Sequence, residues 1–232
     1  MSGCCDHEAY DEVFDDRFAS RVARGFRRRG LDRTRRRVVD YLGDHGIEDA
    51  TVLEIGGGIG ELHVELLRRG ARMATNLEIS SGYEQEAARL LQQAGLSDRV
   101  TRRFLDVAVA PDEVEPADIV VLHRVVCCYP DFERLLTAAS QHARRLLVFS
   151  HPPRSPLTRA LIGLDNLGRR LRHNGFRAFA HSPDAMVATV EANGLGLRHR
   201  RRGLMWSVVG FERDLSATGP PPASRASDTS AR

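Results

Sequence analysis

The stretch Val52-Leu53-Glu54-Ile55-Gly56-Gly57-Gly58-Ile59-Gly60 constrains the fold of this chain more than any other. A short apolar run ends in glycines, and a helical pattern begins at Glu61. Glycines let the backbone turn tightly and approach a ligand closely. A strand, a glycine turn and a helix in that order open a parallel α/β unit. Two nucleotide loops do not fit. The phosphate loop G-x-x-x-x-G-K needs a lysine, and all 34 basic residues are arginine. In a dinucleotide turn, G-x-G-x-x-G read from Gly56, the third glycine would fall at Glu61, where a carboxylate would oppose a pyrophosphate.

Downstream, strands and helices alternate. Strands are predicted over Thr51–Ile55, Arg72–Ile79, Arg99–Val107, Asp118–Val126 and Arg145–Ser150. Helices are predicted over Glu61–Arg69, Tyr83–Gln93, Phe132–Ala143 and Ser182–Asn193, three of them stopped by Gly70, Gly95 and Gly194. Leu195–Arg202 and Met205–Glu212 read as a closing antiparallel hairpin around Gly203. The pattern predicts an α/β fold: a Rossmann-like, doubly wound seven-stranded sheet with an antiparallel last strand. Ligands of such sheets sit beyond the carboxyl ends of the strands.

Ahead of this domain, residues 1–16 are acidic and carry Cys4 and Cys5. Residues 17–39 hold ten arginines against one acid, Asp32. Their apolar spacing predicts one or two basic amphipathic helices broken near Gly30. These form either an N-terminal helical cap over an anion site or a solvated face. The expected division is an arm over 1–45, the main domain over 46–213 and a disordered tail over 214–232, with Pro220-Pro221-Pro222. A length of 232 residues suits one domain. No apolar run reaches the ~18 residues of a membrane span, and the first residues lack a signal-peptide pattern, so a cytoplasmic protein is expected. A net charge of +3 does not by itself imply a nucleic-acid partner.

The pattern E-x-G-x-G-x-G, from Glu54 through Gly56, Gly58 and Gly60, resembles the first motif of the class I methyltransferases that use S-adenosyl-L-methionine. The chemistry agrees: that cofactor carries an ammonium and a sulfonium, which suit an acid where a pyrophosphate would not. The resemblance implies that Glu54 supports the methionine amino end and that Gly56, Gly57, Gly58 and Gly60 line the ligand's path. It implies that Glu78, with Ile79 beside it, accepts the ribose hydroxyls. It also implies that Asp106, with the Val107 amide, meets the adenine. Each acid taken alone could equally be a cap or a surface charge.

The methyl acceptor is expected near the end of the fourth strand, Leu122-His123-Arg124-Val125-Val126-Cys127-Cys128-Tyr129-Pro130-Asp131. The N/D-P-P-Y motif of many amino-group methylating enzymes is absent, which argues against a nucleic-acid substrate. His123 is the candidate general base, or packs beside the cofactor. Tyr129 either orients the acceptor or packs over the sulfonium, and His151 faces the same rim. Cys127-Cys128 and Cys4-Cys5 lack C-x-x-C spacing, so no metal is expected. The segment Gly30-Leu31-Asp32-Arg33-Thr34-Arg35 resembles the leader of magnesium-protoporphyrin O-methyltransferases, which would set arginines against substrate carboxylates. The expected function is methyl transfer to a small molecule, most simply at oxygen. The alternatives are the magnesium-protoporphyrin enzyme, a nucleic-acid-binding methyltransferase and a catalytically silent binding module. Oligomeric state is not predicted.

Overall fold

Ile119-Val120-Val121-Leu122 is apolar on both faces of a strand, and such a run belongs at the centre of a parallel sheet covered on both sides. The computed structural model describes residues 7–214 and places this run there. Cys4, Cys5 and the tail from 215 onward lie outside the described residues. In chain order the elements are α1 (His7–Val13), α2 (Asp16–Arg29), α3 (Arg33–Asp44), β1 (Thr51–Ile55), α4 (Glu61–Arg68), β2 (Met73–Glu78), α5 (Glu84–Ala94), β3 (Val100–Phe104) and β4 (Ala117–Leu122). They continue with α6 (Phe132–His142), β5 (Ala143–His151), α7 (Pro156–Leu171), α8 (Pro183–Ala192), β6 (Leu195–Arg201) and β7 (Ser207–Arg213).

The sheet runs β3-β2-β1-β4-β5-β7-β6. All neighbours up to β5 are parallel, and β7 is antiparallel to both β5 and β6. The order reverses at β1, so a crevice opens beyond the ends of β1 and β4. Strand side chains alternate between faces. Leu53, Val120, Leu147 and Phe149 therefore pack with Leu135, Leu136, Met186 and Val190 of α6 and α8. Val52, Ile119, Val121, Leu146 and Val148 pack with Val38 and Leu42 of α3 and Leu62 and Leu66 of α4. The arm helices thus share the second layer of the core: Ala19 and Ala23 of α2 lie in it as well.

Two caps set the arm's geometry. Asp15 accepts from the Phe18 amide at 2.8 Å to start α2, which ends at Gly30 with φ 65°. Asp32 accepts from the Thr34 and Arg35 amides at 2.8 and 3.0 Å to start α3. The break expected near Gly30 is the junction of these helices.

Three predicted boundaries are corrected. The third strand stops at Phe104, because Asp106 turns the chain by accepting from the Ala108 amide at 2.9 Å. The fourth stops at Leu122: Arg124 takes a left-handed φ of 61° and Val126–Cys128 form a 3-10 turn. The fifth begins two residues earlier than predicted, at Ala143. The sequence reading assigns no element between Ser150 and Ser182, where α7 lies. Ser155 caps it through the Thr158 amide at 3.0 Å and Pro156 opens it.

Candidate active site

The turn after β1 is held from below by side chains of β1 and β2. Asn76 Oδ1 accepts from the Gly57 amide at 3.1 Å. A Cβ on Gly57 would lie 2.1 Å from that oxygen, so no larger residue fits. Gly60 has φ 91° and starts α4. A Cβ there would lie 2.3 Å from the His63 ring. Glu78, at the end of β2, accepts from three amides: Gly58 at 2.9 Å, Ile79 at 2.9 Å and Ser80 at 3.3 Å. Burial pushes its carboxyl above the usual carboxylate range, against those amides, which favour the ionised form. Glu54 is buried with His63, whose Nδ1 and amide lie 2.7 and 3.2 Å from Glu54 Oε2.

Between this turn and the arm helices lies a cavity of about 660 Å³, within the usual span of small-molecule sites. Of the residues singled out from sequence, Glu54, Gly56, Gly57, Gly58, Glu78, Ile79 and His123 line it. Gly60, Asp106, Val107 and Tyr129 do not. Tyr129 is buried, and its hydroxyl donates to Asp106 Oδ2 at 2.9 Å. It braces the turn after β4 against the turn after β3. His151 turns aside, with Nδ1 2.9 Å from the Pro152 carbonyl. His123 is buried with Nδ1 3.0 Å from Ser150 Oγ, while its Nε2 has no hydrogen-bond partner among the described residues. Burial first, and then the Arg35 and Arg124 charges, push its pKa well below the ordinary imidazole range. Cys128 lines the cavity, with its Sγ 3.7 Å from that of the buried Cys127.

The sequence matches the methyltransferase-domain family over residues 23–204. The chain belongs to that family. It is an S-adenosylmethionine-dependent methyltransferase. No curated protein matches it in sequence. Among solved structures it resembles magnesium protoporphyrin IX methyltransferase from Synechocystis PCC 6803 with bound S-adenosylhomocysteine. The TM-score is 0.65 at 20% identity, over 78% of this chain and 82% of that one. An O-methyltransferase family protein from Burkholderia thailandensis gives 0.65 at 19%, over 87% and 64%. An O-methyltransferase family 2 protein from Planctomyces limnophilus, in complex with apigenin, gives 0.57 at 21%, over 71% and 51%. At these identities the likeness concerns the fold.

The methyltransferase's cavity fits the cofactor's charge. Two buried carboxylates, Glu54 beside His63 and Glu78 on its three amides, line the wall beside the glycine turn, and a cation next to them favours their ionised forms. The opposite wall is built by the arm. Phe14, Phe18, Val22, Phe26 and Leu31 supply its apolar surface. Around the whole cavity six arginines (21, 29, 33, 35, 36 and 124) stand against the four carboxylates Asp32, Glu54, Glu61 and Glu78.

An ion-pair chain crosses from arm to sheet, and sequence reasoning did not find it. Asp32 Oδ2 meets Arg35 at 2.6 Å and Arg124 at 2.9 Å. Arg35 also meets Glu61 at 3.0 Å, at the start of α4. Burial raises the Asp32 pKa, but the Arg35 amide and the charges of Arg35 and Arg124 outweigh it, leaving the carboxyl at about 2. Arg124 lies over Trp206 at 5.0 Å, a cation–π contact. The available signal was Asp32 itself, the lone acid among ten arginines. Among the described residues no helix is long and apolar enough to cross a membrane.

Proposed function

We propose that this enzyme methylates a small molecule at oxygen, inside the cavity between the glycine turn and the arm. The carrying observation is that one 660 Å³ space is lined by the acidic glycine turn on one side and by phenylalanines and arginines on the other. S-adenosylmethionine supplies a methyl group on a sulfonium. Transfer from it needs chiefly that the nucleophile be held in line. In this reading Glu54 and Glu78 bind the cationic and hydroxyl-bearing parts of the cofactor. Gly56, Gly57 and Gly58 let the backbone come close to it. Phe18 and Phe26 of α2 and Phe14 of the loop before it exclude water from the acceptor side. The Arg124–Asp32–Arg35–Glu61 chain holds that side in register with the turn. Asp106 and Tyr129 act one layer further out, fixing the two turns relative to each other.

The test is calorimetry with S-adenosylhomocysteine, followed by turnover with methyl-labelled cofactor over a panel of aromatic acids, phenols and amines. Binding with transfer to oxygen supports the reading. Transfer to nitrogen alone, or binding without any transfer, defeats it. A magnesium-protoporphyrin acceptor is the second reading. It is favoured by Arg21, Arg29 and Arg33, which line the cavity and form no ion pair among the described residues. A nucleic-acid acceptor would instead show affinity that falls steeply with salt.

A further inference from the structure

Among the described residues, His123 is the one buried side chain of the cavity wall with a ring nitrogen lacking any partner, and its surroundings fix where its proton sits. Ser150 Oγ is fully buried and has two hydrogen-bond neighbours, the Arg124 amide at 2.9 Å and His123 Nδ1 at 3.0 Å. The amide can only donate, so it occupies an Oγ lone pair. The Ser150 hydroxyl proton then has one acceptor within reach, His123 Nδ1. A buried hydroxyl that donates to nothing is costly. Nδ1 is therefore the unprotonated nitrogen, and in the neutral ring the proton belongs to Nε2. Nε2 is on the ring edge away from Ser150 and is buried without an acceptor. The charged groups facing the ring are Arg35 and Asp32 from the arm and Arg124 beside it. The two guanidiniums and burial together oppose a second proton on the ring.

We propose that His123 is a neutral Nε2–H donor that recognises a carboxylate acceptor, and that it is not the base of the reaction. This rests on the methyltransferase reading above and names the acceptor class of the same site. A hydroxyl acceptor must lose a proton as it is methylated, and the one imidazole on the wall has its free nitrogen committed to Ser150. A carboxylate arrives without the proton. Its oxygen forms the new bond to the methyl carbon, and the carbon–sulfur bond breaks with its electron pair left on sulfur. The products are a methyl ester and S-adenosylhomocysteine, and no proton is released. Arg35 and Arg124 add positive charge beside the donor, and the phenylalanines favour an acid with an aromatic or otherwise apolar body.

The experiment uses the full chain loaded with S-adenosylhomocysteine and labelled with 15N-histidine, the His123 signal being assigned with His123→Gln. We expect a neutral ring with Nε2–H from pH 5.5 to 8.5. A ring that titrates near its ordinary value, or that carries the proton on Nδ1, overturns the proposal. Titration with 1-naphthoate should shift the Nε2–H signal to saturation, and 1-naphthol should not. His123→Leu should weaken naphthoate binding roughly ten- to a hundredfold, the usual scale for a hydrogen bond to a charged group. His123→Gln, which restores an N–H donor, should recover most of that loss. Equal responses to naphthoate and naphthol, no response to naphthoate, or no rescue by glutamine sinks the recognition half. Failure of S-adenosylhomocysteine to bind would instead strike the methyltransferase reading, since the tautomer is read independently of it.

Discussion

Glu78 and Asp32 are carboxylates on facing walls of one cavity, shifted in opposite directions. Glu78 is solvated by backbone amides and driven up by burial, whereas Asp32 is driven down to about 2 by arginine partners. The difference separates a wall built to be completed by a ligand from a wall already completed by the protein. On the glycine-turn side Glu78 is held chiefly by backbone amides and has no direct ion pair among the described residues, so a ligand that carries positive charge or donates hydrogen bonds relieves it. The arm side neutralises its own acid and has arginines to spare. In the proposed function the first wall binds the cofactor, and the second meets the acceptor.

The sharpest way to break this division is Gly58→Arg. Position 58 lines the cavity with φ 58°, so an arginine there brings bulk and a charge like that of the cofactor. Calorimetry should show no binding of S-adenosylmethionine, while circular dichroism retains the fold. Glu78→Ala comes next. It removes the acceptor of three amides and should weaken cofactor binding by about 1–3 kcal/mol. Because the folded carboxyl is raised, wild-type affinity for the cation should fall as pH drops and Glu78 protonates. A Glu78→Gln variant should lack that slope.

Asp32→Asn tests the arm wall. The amide can still cap α3, so the loss is confined to the pairs with Arg35 and Arg124. These are partly exposed, and about 1 kcal/mol or less of stability is expected. The folded pKa of about 2 lies below the unfolded value of ~3.9. The Asp32 contribution is therefore complete above the unfolded value and is lost as pH falls through about 2. Acid unfolding of the Asn variant should be shallower, and its affinity for cofactor should stay within about twofold of wild type. The smallest effect is Gly25→Ala in α2. A Cβ there meets only Arg29 at 3.7 Å, so the helix should gain up to about 1 kcal/mol. Thermal melting reads it, and a loss of stability would mean that the arm is packed more tightly than described.

Most of the sheet could be read from sequence because its signals are local. β1 ends where Ile55 meets the glycines, α5 stops at Gly95, and Asp32 sits three residues before Arg35 as an N-cap should. What could not be read joins distant parts of the chain. Asp32 and Arg124 are 92 positions apart, and their pairing depends on a left-handed Arg124 that no local pattern announces. The position of Tyr129 after β4 is open from sequence to orienting the acceptor or packing over the sulfonium, and no local pattern announces that its hydroxyl donates to Asp106, 23 positions away. Helix α7 carried its own signals, a capping Ser155, Pro156 and leucines at helical spacing. Its apolar side faces outward, however, with Leu157, Leu161, Leu164, Leu167 and Leu171 each 53–73% exposed. Amphipathic spacing announces a helix without saying which side meets the core.

The placement of β7 between β5 and β6 has a consequence for synthesis. A ribosome delivers β6 before the strand that must join it to the sheet, so β6 has no neighbouring strand to pair with until residues 207–213 emerge. Until then β5 presents bare amides and carbonyls at the border of a half-made sheet, the kind of surface on which nascent chains aggregate. Among the described residues, the last strand to be translated is thus the one that closes the sheet.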